Sequence, residues 1–316
     1  MKTIKVQLKE NSYPVIVGSD ILAGLPGYLK KMPVGRDAVI VTNPLIRKLH
    51  GKKLTTALQK NGFTAKIFEV EDSERSKSAG VALDLVEKIV RYGAEKKIFI
   101  LAFGGGVVGD LAGFVAAVLK RGVPFIQVPT TLLAQIDSSI GGKTAVDLPA
   151  GKNLMGAFYQ PKLVWADVAL LQTLSERQVR NGLAEAVKYG VIADEKLFAL
   201  LEKEHRALLS CDAAVMTRVV LACAKIKANV VSNDEKETKG LRTILNFGHT
   251  VGHAIETAGG YERYNHGEAV ALGMSPLVEL YDVSTGAAVR ELAGHSAAVH
   301  ALAFSHDGRL LVSAAG

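Results

Sequence analysis

The chain has 316 residues, 48% of them hydrophobic and 22% charged, with a formal net charge of +7. This is a soluble globular balance with room for one large core or two ordinary ones, and two domains are expected. No apolar run reaches the eighteen or so residues of a membrane span. The start, MKTIKVQLKENSYPVIVG, lacks the unbroken apolar stretch of a signal peptide, so a cytoplasmic protein without a membrane partner is expected. The Lys and Arg residues are scattered or sit beside glycine-rich turns, which argues for a cleft that takes small anions and against nucleic acid.

In chain order, strand-like apolar runs occur at 38–42, 66–70, 98–103 and 125–129, with a helical pattern through Val81, Leu85 and Lys88 to Val90 between the second and third. Such alternation predicts an α/β fold with a doubly wound parallel sheet. After about Gln178, Ala, Leu, Lys and Glu dominate and a helical domain is expected. Cys211 and Cys223 fall in a stretch that reads as helical, without CxxC spacing, and are expected to be buried free thiols. From Ser275 the chain turns Val- and Ser-rich, with turn signals at Ser284–Gly286 and His306–Gly308. That stretch carries a formal −2, so the remainder holds +9.

The run at 98–103 leads into Gly104-Gly105-Gly106-Val107-Val108-Gly109-Asp110 and then a helical 111–119. Backbone N–H groups and a helix start converge there, as in phosphate-binding turns. The GxGxxG spacing is met, although the usual dinucleotide fingerprint stands at the first strand of its domain. Further on come PTTLLAQIDSSIGGKT (129–144) and GKNLMGAF (151–158), dense in hydroxyls, glycines and lysines. These two motifs resemble those of the 3-dehydroquinate synthase family almost letter for letter.

The resemblance covers residues 1 to about 274. It implies an NAD-binding α/β domain over 1–178 and an α-helical metal- and substrate-binding domain over 179–274. It also implies conversion of 3-deoxy-arabino-heptulosonate 7-phosphate to 3-dehydroquinate and phosphate, in which NAD oxidises a ring alcohol and regains its state within a turnover. The implied cofactor contacts are the loop Asp72-Ser73-Glu74-Arg75-Ser76-Lys77, the turn Gly106 to Asp110, Thr130, Thr131, Asp137, Lys143, Lys152 and the run Leu170-Leu171-Gln172-Thr173. Asn43, after the strand at 38–42, is a further candidate.

Up to Met274 there are five histidines, and His249, His253 and His266 share one window of eighteen residues. His249 and His253, four apart, lie on one face of a helix, which makes them a local candidate pair for a metal. The resemblance implies a different set, Glu185, His249 and His266, for Zn²⁺ or Co²⁺, with His253 facing the substrate. It likewise implies that Lys227 and Arg242 meet the carboxylate of a phosphorylated keto-acid substrate and that the lysines near Asn153, Lys143 and Lys152, meet its phosphate, with Asn153 itself a neutral donor. Lys188 and Asn246 join this set, and Arg121 enters from a partner subunit of a homodimer. Alternatives are a related sugar-phosphate cyclase or a metal-dependent alcohol dehydrogenase, from which the carboxylate pair Lys227 and Arg242 argues away.

Residues 275–316 follow the pattern of a single WD40 repeat, with Tyr281-Asp282 where Trp-Asp would stand. One blade cannot close a propeller, so a pure interaction scaffold is a remote reading. Where the family continues in helices, strand periodicity takes over. The sequence is therefore expected to be a fusion whose metal domain is truncated and whose turnover is impaired.

Overall fold

The computed structural model describes residues 1–259, 263–274 and the strand residues 278–281, 288–292, 299–304 and 311–315. The strands are β1 (Lys2–Val6), β2 (Tyr13–Gly18), β3 (Asp37–Thr42), β4 (Thr64–Glu69), β5 (Ile98–Gly104), β6 (Phe125–Pro129), β7 (Lys143–Leu148), β8 (Gly151–Phe158), β9 (Leu163–Asp167), β10 (Val278–Tyr281), β11 (Ala288–Leu292), β12 (Val299–Phe304) and β13 (Leu311–Ala315). The helices up to the central one are α1 (Leu25–Leu29), α2 (Pro44–Ile46), α3 (Lys52–Lys60), α4 (Ala79–Gly93) and α5 (Gly106–Val118). Then follow α6 (Glu176–Ala193), α7 (Glu195–Lys203), α8 (His205–Leu209), α9 (Ala213–Asn233), α10 (His249–Ala258) and α11 (His266–Gly273).

Seven strands form one sheet in the order β1-β2-β9-β6-β5-β3-β4, parallel except for β1. Side-chain alternation sends Ala38, Ile40, Phe99, Leu101 and Phe103 to one face and Val39, Val41, Ile98, Ile100 and Ala102 to the other. Leu25, Leu54 and Leu58 of α1 and α3 cover the first face, while Leu85 of α4 and Leu111 and Val115 of α5 cover the second. Both faces are dry, which is why these strands read as unbroken apolar runs. The predicted doubly wound sheet is therefore observed. All four predicted strands lie within two residues of their observed bounds, whereas β1, β2, β7, β8 and β9 were not anticipated, and GKNLMGAF (151–158) is itself strand β8.

The molecule divides into two compact units, the first Met1–Val179 with Glu204–Thr238, the second Arg180–Lys203 with Lys239–Gly316. This differs from the continuous helical domain expected over 179–274. Along α9, Met216, Val219, Val220, Cys223, Ala224, Lys227 and Val231 are buried, a helical stripe that packs on β1 and β2 and so joins the first unit. Cys211 and Cys223 are buried free thiols as expected, but Cys211 occupies the turn between α8 and α9 at φ 54°, not a helix.

After Met274 the described residues form strands, as the periodicity predicted. They pair as two separate antiparallel hairpins, β10 with β11 and β12 with β13, whereas a propeller blade is a single four-stranded sheet. The turn signals at Ser284–Gly286 and His306–Gly308 lie outside the described residues. Among those described, no helix is long and apolar enough to cross a membrane.

One buried carboxylate locks the first unit. Asp167, wholly buried at the end of β9, accepts the Asp20 and Leu22 backbone N–H groups (2.7 and 2.8 Å) and that of Ala169 (3.1 Å). Gln135, also fully buried, donates to the Asp167 and Pro129 carbonyls (2.9 and 3.1 Å), tying β9 to β6. Replacing Asp167 by Ala strands several donors. The expected outcome is a loss of roughly 3 kcal/mol in unfolding free energy, read by urea denaturation.

Candidate functional site

In the first unit the strand order reverses between β3 and β5: the chain leaves β3 for β4 on one side and β5 for β6 on the other. Ligands of doubly wound sheets sit outside the carboxyl ends of the strands at such a point. Asn43 follows β3 there, and Gly105 and Gly106 follow β5. Helix α5 begins at Gly106, five residues before its predicted start, and Gly105 caps it without a side chain. Its first N–H groups therefore face outward from the helix start.

Several of the sequence-predicted residues of this unit lie around this edge. Lys77 is buried and bonds the Asp110 carboxylate at 2.6 Å and the Asn153 side-chain oxygen. Burial opposes its charge, yet Asp110, with Glu74 and Asp147 further off, holds the ammonium above its ordinary range. Asn43 donates to Asp72 at 2.8 Å while its own oxygen caps α2. Ser73 caps the turn Glu74–Ser76 by accepting from the Arg75 N–H, and Ser76 itself is buried. Lys152 pairs with Glu74 at 3.4 Å.

Asn153 adopts left-handed backbone at φ 58°, held by its N–H bond to Asp147 (2.8 Å). Lys227 lies in the buried stripe of α9 and reaches Asp137 at 2.7 Å, and Lys143 pairs with Glu237. Thr173 bonds His50 at 3.0 Å. Val108, Leu170 and Leu171 bury their side chains in the core, so only their main chain is left for a ligand, while Val107 is half-buried and Gln172 exposed. Arg121 is exposed at φ 64° on the turn after α5.

Two observations bear on a dinucleotide here. A Cβ on Gly106 would come within 3.2 Å of the Ser138 hydroxyl, and one on Gly105 within 3.1 Å of Thr131, so side chains would fill the space above the turn. At the strand ends, the Thr42 and Thr130 hydroxyls are buried with no hydrogen-bond partner among the described residues. A cradle of bare backbone with unused hydroxyls fits a phosphate-bearing cofactor.

In the second unit, Glu185 of α6 is 1% exposed, and its Oε1 lies 3.5 Å from Nε2 of both His249 and His266. Lys188, one turn on, contacts the same carboxylate and donates to the Leu245 carbonyl at 2.8 Å. His249 opens α10 and His266 opens α11. The Asn265–Glu268 capping box fixes the start of α11, and the Asn181 side chain accepts the Gly267 N–H at 2.6 Å. A Cβ on Gly267 would sit 2.1 Å from the Asn181 carbonyl, and one on Gly273 2.0 Å from that of Gly248. Only glycine permits α11 to approach α6 and α10 this closely, and that approach brings the histidines together.

The ring nitrogens are sorted by their partners. Nδ1 of His249 bonds the Phe247 carbonyl at 3.1 Å and Nδ1 of His266 the Glu256 carboxylate at 3.4 Å, which turns both Nε2 atoms inward. Burial pushes His249 down to about 4 against the pull of Glu185. For His266 burial acts the same way, but hydrogen bonds to Glu185 and Glu256 outweigh it and lift the imidazole to about 9. His253 belongs to the same cluster, its ring 5.2 Å from that of His249, and the three histidines can bring ligand atoms within 4.8 Å of one another. Unlike the other two, His253 is exposed. Arg242 is buried and Asn246 exposed on the turn Leu241–Asn246. Two imidazoles and a buried carboxylate form a donor set suited to Zn²⁺ or Co²⁺.

Sequence reading missed Glu256, Asn181 and Asp147. Glu256 stands seven residues after His249 and Asn181 four before Glu185, spacings that place each on the same helical face as a site residue.

Residues 67–181 match the 3-dehydroquinate synthase N-terminal family profile and residues 182–305 the 3-dehydroquinate synthase C-terminal one. The 3-dehydroquinate synthase of Pelotomaculum thermopropionicum is 50% identical over 275 residues, 87% of this chain and 74% of that protein. The chain belongs to the 3-dehydroquinate synthase family. The 3-dehydroquinate synthase of Desulforamulus reducens is 49% identical over 87% of this chain and 76% of its own length. Among solved structures, a 2-deoxy-scyllo-inosose synthase complexed with carbaglucose-6-phosphate, NAD+ and Co²⁺ superposes with TM-score 0.79 at 30% identity, over 86% of this chain and 73% of that one. An iron-containing alcohol dehydrogenase from Thermotoga maritima, at 18% identity and TM-score 0.63 over 86% of this chain and 76% of that one, shares the fold. The resemblance was expected to end by Met274; the C-terminal profile runs on to residue 305.

Proposed function

We propose that this chain is a 3-dehydroquinate synthase that converts 3-deoxy-arabino-heptulosonate 7-phosphate to 3-dehydroquinate and phosphate, using NAD and a divalent ion. The observation that carries this reading is its higher identity to curated 3-dehydroquinate synthases than to the cyclases that act on other sugar phosphates. When bound, NAD accepts and returns a hydride, and the ion polarises the alcohol being oxidised. All else falls to the chain's own side chains.

The ion is held by Glu185, His249 and His266. Their support is the shared 3.5 Å approach of both Nε2 atoms to one buried carboxylate oxygen. His253, exposed beside them, moves protons through water at the substrate, with the departing phosphate as the second proton carrier. Lys227 and Arg242, both buried cations, meet the substrate carboxylate. Lys143, Lys152 and Asn153 meet its phosphate, while Lys188 and Asn246 complete the polar set. NAD lies along the turn Gly106–Asp110, with Asp72, Lys77 and the Thr130–Thr131 pair around it. Residues 1–178 serve the cofactor and 179–274 the ion and substrate.

The protein is expected to release phosphate from the heptulosonate phosphate when supplied with NAD and Zn²⁺. Alanine at Glu185, His249 or His266 should abolish ion retention. His253→Ala should keep the ion while phosphate release falls by roughly 10²- to 10⁴-fold. Metal analysis of the purified variants separates the two sets, and loss of the ion in His253→Ala with retention in His266→Ala would reverse the assignment. Gly106→Val should fold normally yet lose most NAD affinity, measured by fluorescence titration, because its side chain occupies the phosphate cradle. Arg121 on its exposed turn is offered to a second copy, so a mass in solution twice that of the chain is expected by sedimentation.

A further inference from the structure

Beyond the three ion ligands stands one more buried carboxylate. Glu256, 8% exposed, lies on α10 two turns after His249, and its Oε2 is 3.4 Å from Nδ1 of His266. That contact is on the far edge of the imidazole from Glu185, which faces Nε2 at 3.5 Å. Glu256 thus cannot reach the point at which Nε2 is aimed, and a role as a ligand is excluded by the ring itself. His249 has a matching arrangement, with the Phe247 carbonyl on Nδ1. In one case the backbone sets the ring, in the other a side chain does.

We propose that Glu256 is a positioning residue of the ion site: by accepting the Nδ1–H of His266 it fixes the tautomer and orientation in which Nε2 faces Glu185. The inference rests on the reading that Glu185, His249 and His266 hold the ion. A carboxylate serves this role in two ways. It is an obligate acceptor when ionised, so it enforces the Nδ1–H tautomer, and its charge makes Nε2 a stronger donor to a cation. It also joins α10 to α11, since Glu256 lies in the one helix and His266 begins the other.

The test uses the full chain, stripped by chelation and then titrated with Zn²⁺ against a competing chelator, and separately with Co²⁺ followed by its visible absorption. Glu256→Ala should weaken ion binding about 10- to 100-fold and alter the Co²⁺ spectrum. Glu256→Gln, which keeps an acceptor oxygen at the same reach but loses the charge, should recover only part of the affinity, whereas Glu256→Asp, one methylene short, should stay as weak as Glu256→Ala. Wild-type affinity and spectrum in Glu256→Ala would overturn the proposal. If that variant does not fold, Gln binding no tighter than Asp overturns it equally. Retention of the ion in Glu185→Ala and His249→Ala would instead sink the underlying ligand assignment, an outcome distinct from normal binding in the Glu256 variants alone.

Discussion

A carboxylate taken out of water must be compensated, and Glu185, 1% exposed, imposes that demand on the whole second unit. Lys188 supplies a cation from one helical turn away, and two imidazole nitrogens converge on the same oxygen. The burial that makes Glu185 demanding also pushes His249 down to about 4, keeping it a neutral donor. A divalent cation at this point would answer the buried charge and use both nitrogen lone pairs at once.

That convergence depends on close helix packing. Asn181 and Glu185 occupy one face of α6, the first fastening the start of α11 and the second facing the histidine that opens it. Gly273 lets α11 meet the Gly248 carbonyl of α10 at a distance no side chain allows. The meeting of Glu185 with the two histidines is thus carried by backbone contact between helices, which is stiffer than any arrangement of long side chains.

The first unit meets its electrostatic problem differently. The lysines proposed for its site are partnered: Lys77 with Asp110, Lys227 with Asp137, Lys152 with Glu74, Lys143 with Glu237. Each of these pairs is neutral as it stands, so an anionic ligand there would compete with carboxylates already in place. Burial strengthens Lys77–Asp110 and Lys227–Asp137 beyond what surface pairs achieve, whereas Lys143–Glu237 and Lys152–Glu74 stand more open to solvent.

Much of this was legible from residues alone. Unbroken apolar runs at β3, β5 and β6 predict a sheet buried on both faces, because burial on both faces removes the alternation that a half-wet strand shows. The long motifs around Thr130, Lys143 and Asn153, and the histidine window from 249 to 266, stand out as site candidates because polar residues this dense exceed what a core uses, although Gln135 within the first motif is itself a buried structural link. Other features needed the tertiary structure. The i, i+4 spacing makes His249 and His253 neighbours, but only the docking of α11 onto α10 and α6 reveals that Glu185, sixty-four residues earlier in the chain, faces His249 and His266. Whether α9 served the sheet or the helical unit was likewise undetermined by its own stripe, since an amphipathic face specifies that it will be buried and not against what. Periodicity is a local property and is written in the sequence; the choice of partner for each buried face, and therefore the meeting of distant side chains, is made only when the chain packs.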